Sequence, residues 1–138
     1  MIHSIYPVLM TEKLQETARF YKTWFGFTET FSSDWYISLS HPDGGELAMI
    51  DAGHESIASN YRRSVNGMIL NIEVENVTQM YDDIRKQNEG IIAMALRDEA
   101  WGQRHFMMQD PNGILVAVIE IIPPGKEFQN NYAGDIKS

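Results

Sequence analysis

A chain of 138 residues with 43% hydrophobic side chains is long enough to bury one ordinary core, and its composition does not point to disorder. A formal net charge of -8, with eleven scattered Lys and Arg, excludes nucleic acid as an expected partner, because phosphate neutralisation needs clustered cations. The acidity bears on solubility first, and only second on a cationic small ligand.

Cysteine is absent, which removes disulfides, thiolate nucleophiles and zinc-thiolate sites. No apolar run approaches the roughly 20 residues that span a bilayer. Met1-Ile2-His3-Ser4 lacks the basic-then-apolar layout of a signal peptide, so a soluble, cytoplasmic protein without membrane contact is expected.

Ser4 to Met10 reads as a strand, with Pro7 marking an edge or a sheet junction. Thr11 is the expected N-cap of a helix on which Leu14, Ala18, Tyr21 and Phe25 recur at helical spacing, and Gly26 is its C-cap. Phe27 to Phe31, Asp34 to Leu39 and Glu46 to Asp51 supply three strands. From Ala52 to Asn66 the sequence turns polar and loses its period, as a linker does.

The order then starts again. Met68 to Val74 is a strand, Asn76 caps a helix with Gln79 as its capping-box partner, and Val77, Met80, Tyr81 and Ile84 form the buried stripe. Ile91 to Leu96 makes a strand. A hairpin follows, its arms Trp101 to Met108 and Ile114 to Glu120 joined by Asp110-Pro111-Asn112-Gly113, in which Asp opens the turn, Pro presets φ and Gly takes a positive φ. The tail from Pro123 to Ser138 reads as an arm or a frayed end.

Laid on each other, the halves set Leu14 opposite Val77, Trp35 opposite Trp101, Pro42-Asp43-Gly44 opposite Pro111-Asn112-Gly113, and Leu47-Ala48-Met49 opposite Val116-Ala117-Val118. The expected fold is α+β, two βαβββ repeats forming a concave mixed sheet. A single domain is expected, with repeat one at 1–52, a linker at 53–66, repeat two at 67–122 and the tail at 123–138.

Leu14-Gln15-Glu16-Thr17-Ala18-Arg19-Phe20-Tyr21 leading to Phe25-Gly26-Phe27, and Trp101-Gly102 leading through Phe106 to Asp110-Pro111-Asn112-Gly113, give the chain its likeness. It resembles the vicinal oxygen chelate superfamily of glyoxalases, bleomycin-resistance proteins and dioxygenases, over roughly residues 3 to 121. Glyoxalase-like members hold a divalent metal through His, Glu or Gln on the first and last strand of each half. The resemblance maps those positions onto Tyr6 and Ile69, eight residues before the helix Leu or Val, and onto Ala48 and Ala117, four after the turn glycine. Hard divalent cations need carboxylate or imidazole donors, which these four do not supply, so no metal cofactor is expected. Glu120 reads as a rim or solvent carboxylate and His41 and His54 as loop residues, and a metal assembled from these with His3, His105, Asp51 or Glu73 is not expected.

Metal-free members of the family sequester a drug by stacking and hydrogen bonds, which implies a small organic ligand, a toxic or antibiotic compound, and a homodimer. The competing expectation is a metal-dependent lyase, isomerase or dioxygenase. A third is a partner-binding or regulatory domain. Trp101 and its counterpart Trp35 suit planar ligand groups. Alternation puts Trp101, Gln103, His105 and Met107 on one face of their strand and Arg104 on the other, with His105 and Trp101 favoured in the pocket and Arg104 the runner-up. Tyr6, at the vacated metal position, is expected to turn its hydroxyl inward, and Met49 to fill the floor.

Overall fold

The computed structural model describes residues 1–134 and resolves the two periodicities into one element order written twice. The first copy runs β1 (Val8–Thr11), α1 (Leu14–Phe25), β2 (Thr28–Ser32), β3 (Tyr36–Ser40) and β4 (Glu46–Asp51). Its sheet order is β1-β4-β3-β2, with β1 parallel to β4 and the other pairs antiparallel. The second copy runs β5 (Ile69–Glu73), α2 (Val77–Gln87), β6 (Ile92–Glu99), β7 (Gln103–Gln109) and β8 (Leu115–Ile121), in the equivalent order β5-β8-β7-β6. The fold is α+β, as expected. Of the edge strands, β2 and β6 carry bulges, one between Glu29 and Phe31, two between Ile92 and Arg97.

By contact the chain divides into two compact units: Met1–Gly67 with Asp110–Gly113, and Met68–Gln109 with the chain from Ile114 onward. In the first, strand alternation sends Leu9, Ile37, Leu39, Leu47 and Met49 to one face, each at most 2% exposed, where α1 lays Ala18, Tyr21 and Phe25 over them. In the second, Phe106, Met108, Val116 and Val118 fill the face under α2, and the Phe106 ring meets Tyr81 at 5.1 Å. Each sheet thus buries one face against its own helix, the largest apolar gain the sequence offers it. Among the described residues no helix is long and apolar enough to cross a membrane.

Gly26 closes α1 at φ +75°, its N–H reaching Lys22 O at 3.1 Å. Asn76 Oδ1 accepts the Gln79 N–H at 3.3 Å, but Gln79 turns its amide to Asp83 at 2.9 Å, so half of the capping box forms. Glu120 Oε1 accepts the Val77 N–H at 3.1 Å, setting a carboxylate at the N-terminus of α2. The N-cap expected at Thr11 is corrected: α1 starts at Leu14 without a side-chain cap. The Thr11 hydroxyl is fully buried at the end of β1 and is claimed by other partners. The tail is packed on its own unit rather than frayed as far as it is described: Gly125 N–H reaches Ala100 O at 2.7 Å, Lys126–Asn131 forms a 3-10 helix, and the Tyr132 hydroxyl donates to Trp101 O. Residues 135–138 lie outside the described residues.

A buried polar network runs through the first unit. Thr11 Oγ1 accepts the Lys13 N–H at 2.8 Å and donates to Asn112 Oδ1 at 2.5 Å. Asn112 Nδ2 donates to Thr17 Oγ1 at 3.0 Å and to Asp110 Oδ2 at 3.2 Å, while Asp110 Oδ1 accepts the Asn112 N–H at 2.8 Å and so forms the expected Asx turn. The Tyr21 hydroxyl completes it, donating to Asp110 Oδ2 at 3.0 Å. Burial first, then the Asp110 carboxylate beside it, push the Tyr21 hydroxyl well above the ordinary tyrosine range. Tyr21→Phe deprives a carboxylate that is 3% exposed of one donor, and a loss of about 1–3 kcal/mol in urea unfolding is expected. A folded-state pKa above the unfolded value contributes stability below about pH 10 and loses it as pH rises further. The stability of Tyr21→Phe should therefore fall less steeply than that of wild type above that pH, as urea unfolding reads it.

Candidate functional site

In the first unit the helix-free face of the sheet is set by register. Ala48 pairs with Val8 and Ser38, and on this side a groove of about 170 Å³ is lined by Ser4, Tyr6, Thr30, Ser38, Glu46 and Ala48. Leu39 and Leu47 complete the lining; four of the eight residues bring hydroxyls, and Glu46 brings a carboxylate. Tyr6 lies just before β1. Burial and the Tyr6 hydroxyl raise the Tyr36 pKa, against an opposing hydrogen bond with Ser38. Tyr6 and Ala48, onto which the resemblance maps two of the metal positions, both line this groove.

Met49 is not its floor. It alternates to the other face of β4, opposite Leu9 and Ile37, and is fully buried under α1. Trp35 precedes β3, and its ring is stacked on His54 at 3.8 Å and 7°. A linker imidazole thus occupies a face expected to be open to a planar ligand, and His54 in turn is held by Ser56 at 2.8 Å.

In the second unit Gln103, His105 and Met107 stand on the helix-free face of β7, and Arg104 stands with Phe106 on the other. Arg104 does not join His105. It holds Asp98 with two bonds, at 2.7 and 3.1 Å, which depress the Asp98 pKa. His105 is 4% exposed, and its Nε2 lies 2.8 Å from Glu99 Oε2, which also accepts from Arg97 Nε at 2.8 Å. Hydrogen bonds from His105 and then Arg97 hold the Glu99 carboxyl below the usual carboxylate range. His105 Nδ1 is buried with no hydrogen-bond partner. Trp101 sits in the turn before β7, 40% exposed, its Nε1 donating to Gln103 Oε1 at 3.0 Å and its ring meeting Phe128 edge-on at 6.3 Å.

The sequence reading missed Tyr36, Ser38 and Glu46, although period-two spacing from Ala48 reaches Glu46. It also missed Glu99. The Arg97↔His105 and Glu99↔Gln103 pairs make Glu99 a diagonal neighbour of His105, across a strand whose bulges hide that register from sequence.

A divalent metal does not fit the positions that the resemblance assigns to it. Tyr6 offers a phenol, Ala48, Ile69 and Ala117 offer no donor atom, and hard cations are held by carboxylates, carbonyls or imidazoles. Among the described residues no group of three or more His, Cys, Asp or Glu is placed to hold a metal ion. Glu73 is exposed at the end of β5, opposite Ile119, and Glu120 points instead to the start of α2.

The model of the Glyoxalase/Bleomycin resistance protein/Dioxygenase superfamily matches residues 3–118. The chain belongs to that superfamily. Similar solved structures include a glyoxalase/bleomycin resistance protein/dioxygenase family enzyme from Burkholderia phytofirmans, 15% identical at TM-score 0.71, covering 85% of this chain and 97% of that one. A glyoxalase/bleomycin resistance protein/dioxygenase from Nocardioides is 19% identical at TM-score 0.69, covering 91% and 89%. A lactoylglutathione lyase from Agrobacterium tumefaciens is 17% identical at TM-score 0.65, covering 86% and 94%. At these identities the likeness is one of fold. A search of curated proteins finds no match.

The Trp101 turn depends on Gly102, whose φ is +114° and whose added Cβ would meet Ile122 O at 2.8 Å. Gly102→Ala is expected to cost on the order of 1–3 kcal/mol in urea unfolding. It should also expose the chain after Ile122 to limited proteolysis, while an unchanged cleavage pattern would show that the turn does not hold the tail.

Proposed function

We propose that this protein binds a small organic molecule without a metal, sequestering a toxic or antibiotic compound as bleomycin-resistance-type members of its superfamily do. The observation that carries this reading is the chemistry of the first unit at the family's metal positions: Ala48 leaves room where a carboxylate would stand, and Tyr6, Thr30, Ser38 and Glu46 surround that room with hydrogen-bonding groups. At about 170 Å³ the groove is smaller than the roughly 300–1,000 Å³ of sites that enclose a drug-sized ligand, so it suits one polar group of such a molecule. Glu46 and the Tyr6 ring favour a group carrying positive charge.

Thermal-shift and fluorescence titration across amine-bearing and planar aromatic compounds test this. A compound that stabilises the wild type should lose its effect in Ala48→Phe, which fills the groove, by roughly tenfold or more in Kd, the equivalent of about 1.4 kcal/mol. Stoichiometric Ni, Zn, Mn or Fe retained by purified protein and bound through groove side chains would instead support a metal-dependent lyase, isomerase or dioxygenase. We further infer a homodimer, supported by apolar side chains left in solvent, Ile5 at 83%, Phe31 at 53% and Ile69 at 54% exposure. Sedimentation at micromolar concentration should give twice the chain mass, and a monomer would remove this inference.

A further inference from the structure

Beside the Ala117 position of the second unit stands an imidazole with an unused nitrogen. Met107 pairs with Ala117 and His105 with Ile119, so His105 and Ala117 are diagonal neighbours on the helix-free face. Asn71, paired with Ala117 and exposed, shares that face.

The proton arrangement of His105 follows from its partner. Glu99, held ionised by Arg97 and His105, only accepts, so Nε2 carries the hydrogen that bridges them at 2.8 Å. A second proton on Nδ1 would place an N–H with no acceptor where solvent does not reach, so Nδ1 is left as a dry lone pair. Buried nitrogens without partners are uncommon, and this one is rigidly backed. Arg97 orients Glu99, and Glu99 fixes the tautomer that leaves Nδ1 free.

We propose that His105 Nδ1 is the acceptor for a weakly acidic hydroxyl of the ligand, a phenol or an enol, seated over Ala117. This deepens the metal-free binding reading and rests on it. Met107 is the next residue on that face of β7, and its flexible side chain moves aside as the hydroxyl approaches. The O–H proton passes to the Nδ1 lone pair and the bonding electrons stay on oxygen. The resulting imidazolium is stabilised through Nε2–H by Glu99, and the oxyanion faces that imidazolium. His105 and Glu99 divide the work: the first touches the ligand, the second is a positioning residue.

The test uses 4-nitrophenol with the intact protein, at a pH where the free probe is the neutral phenol. Saturable binding with growth of the phenolate absorbance is expected. Glu99→Gln should still bind but show a smaller phenolate fraction, and His105→Phe should lose the phenolate signal and bind roughly tenfold more weakly. Nitrogen-15 resonances of the wild-type imidazole provide a readout that does not depend on a variant folding. They should report hydrogen on Nε2 and an Nδ1 signal that moves on titration. Hydrogen on Nδ1 in the free protein, or an Nδ1 signal indifferent to saturating probe, overturns the proposal. Probe binding abolished by Ala48→Phe but untouched by His105→Phe would leave the first-unit groove standing and remove this site alone.

Discussion

A buried carboxylate is the constraint on which the first unit depends. Asp110 is 3% exposed, and an ion so placed is tolerated only when its lone pairs are met by donors. Its partners include the Tyr21 hydroxyl on α1, the Asn112 backbone and the Asn112 amide, and Asn112 passes the connection on to Thr11 at the end of β1 and Thr17 in α1. Apolar packing under α1 is non-directional and would accept small rotations of the helix. The hydroxyls and amide do not, so they fix where α1 stands above its sheet. This also explains why the Asp110–Gly113 turn is counted with the first unit although both its flanking strands belong to the second.

Much of the architecture could be read from the sequence because two periods alternate cleanly in it. Helical spacing from Leu14 to Phe25 and from Val77 to Ile84, with Gly26 and Asn76 as punctuation, placed both helices within a turn of their observed limits. Strand limits were read less well at the tryptophans. Trp35 and Trp101 have strand-favouring side chains, but the chain turns beneath them, and their rings are committed to His54 and to Gln103 and Phe128. Thr11 was misread because local capping preference competed with a partner 101 residues away, which no local rule contains.

For the site, alternation told which residues share a face but not which face a helix would cover. It separated Arg104 from His105 correctly. Nothing in the spacing told Ala48 from Met49 until α1 was laid on the sheet, and Met49 went beneath it. The Glu99 to His105 contact was illegible for another reason, since two bulges in β6 shift the count on which any cross-strand reading depends. The halves have also diverged in chemistry on one scaffold: the helix-free face of the first is hydroxyl-rich, while the second presents Ile69, Met107, Ala117 and Ile119 around one carboxylate-backed imidazole.

The irregular outer strands have a consequence for how copies of this protein meet one another. An unbroken outer strand is a ladder of free amides and carbonyls onto which a neighbouring chain can zip. Here β2 kinks at its bulge and carries Glu29, pinned to Lys22 at 2.7 Å, while β6 kinks twice and ends in the charged run Arg97-Asp98-Glu99. Neither β2 nor β6 presents a straight template, so sheet extension into fibrils from these two edges is disfavoured.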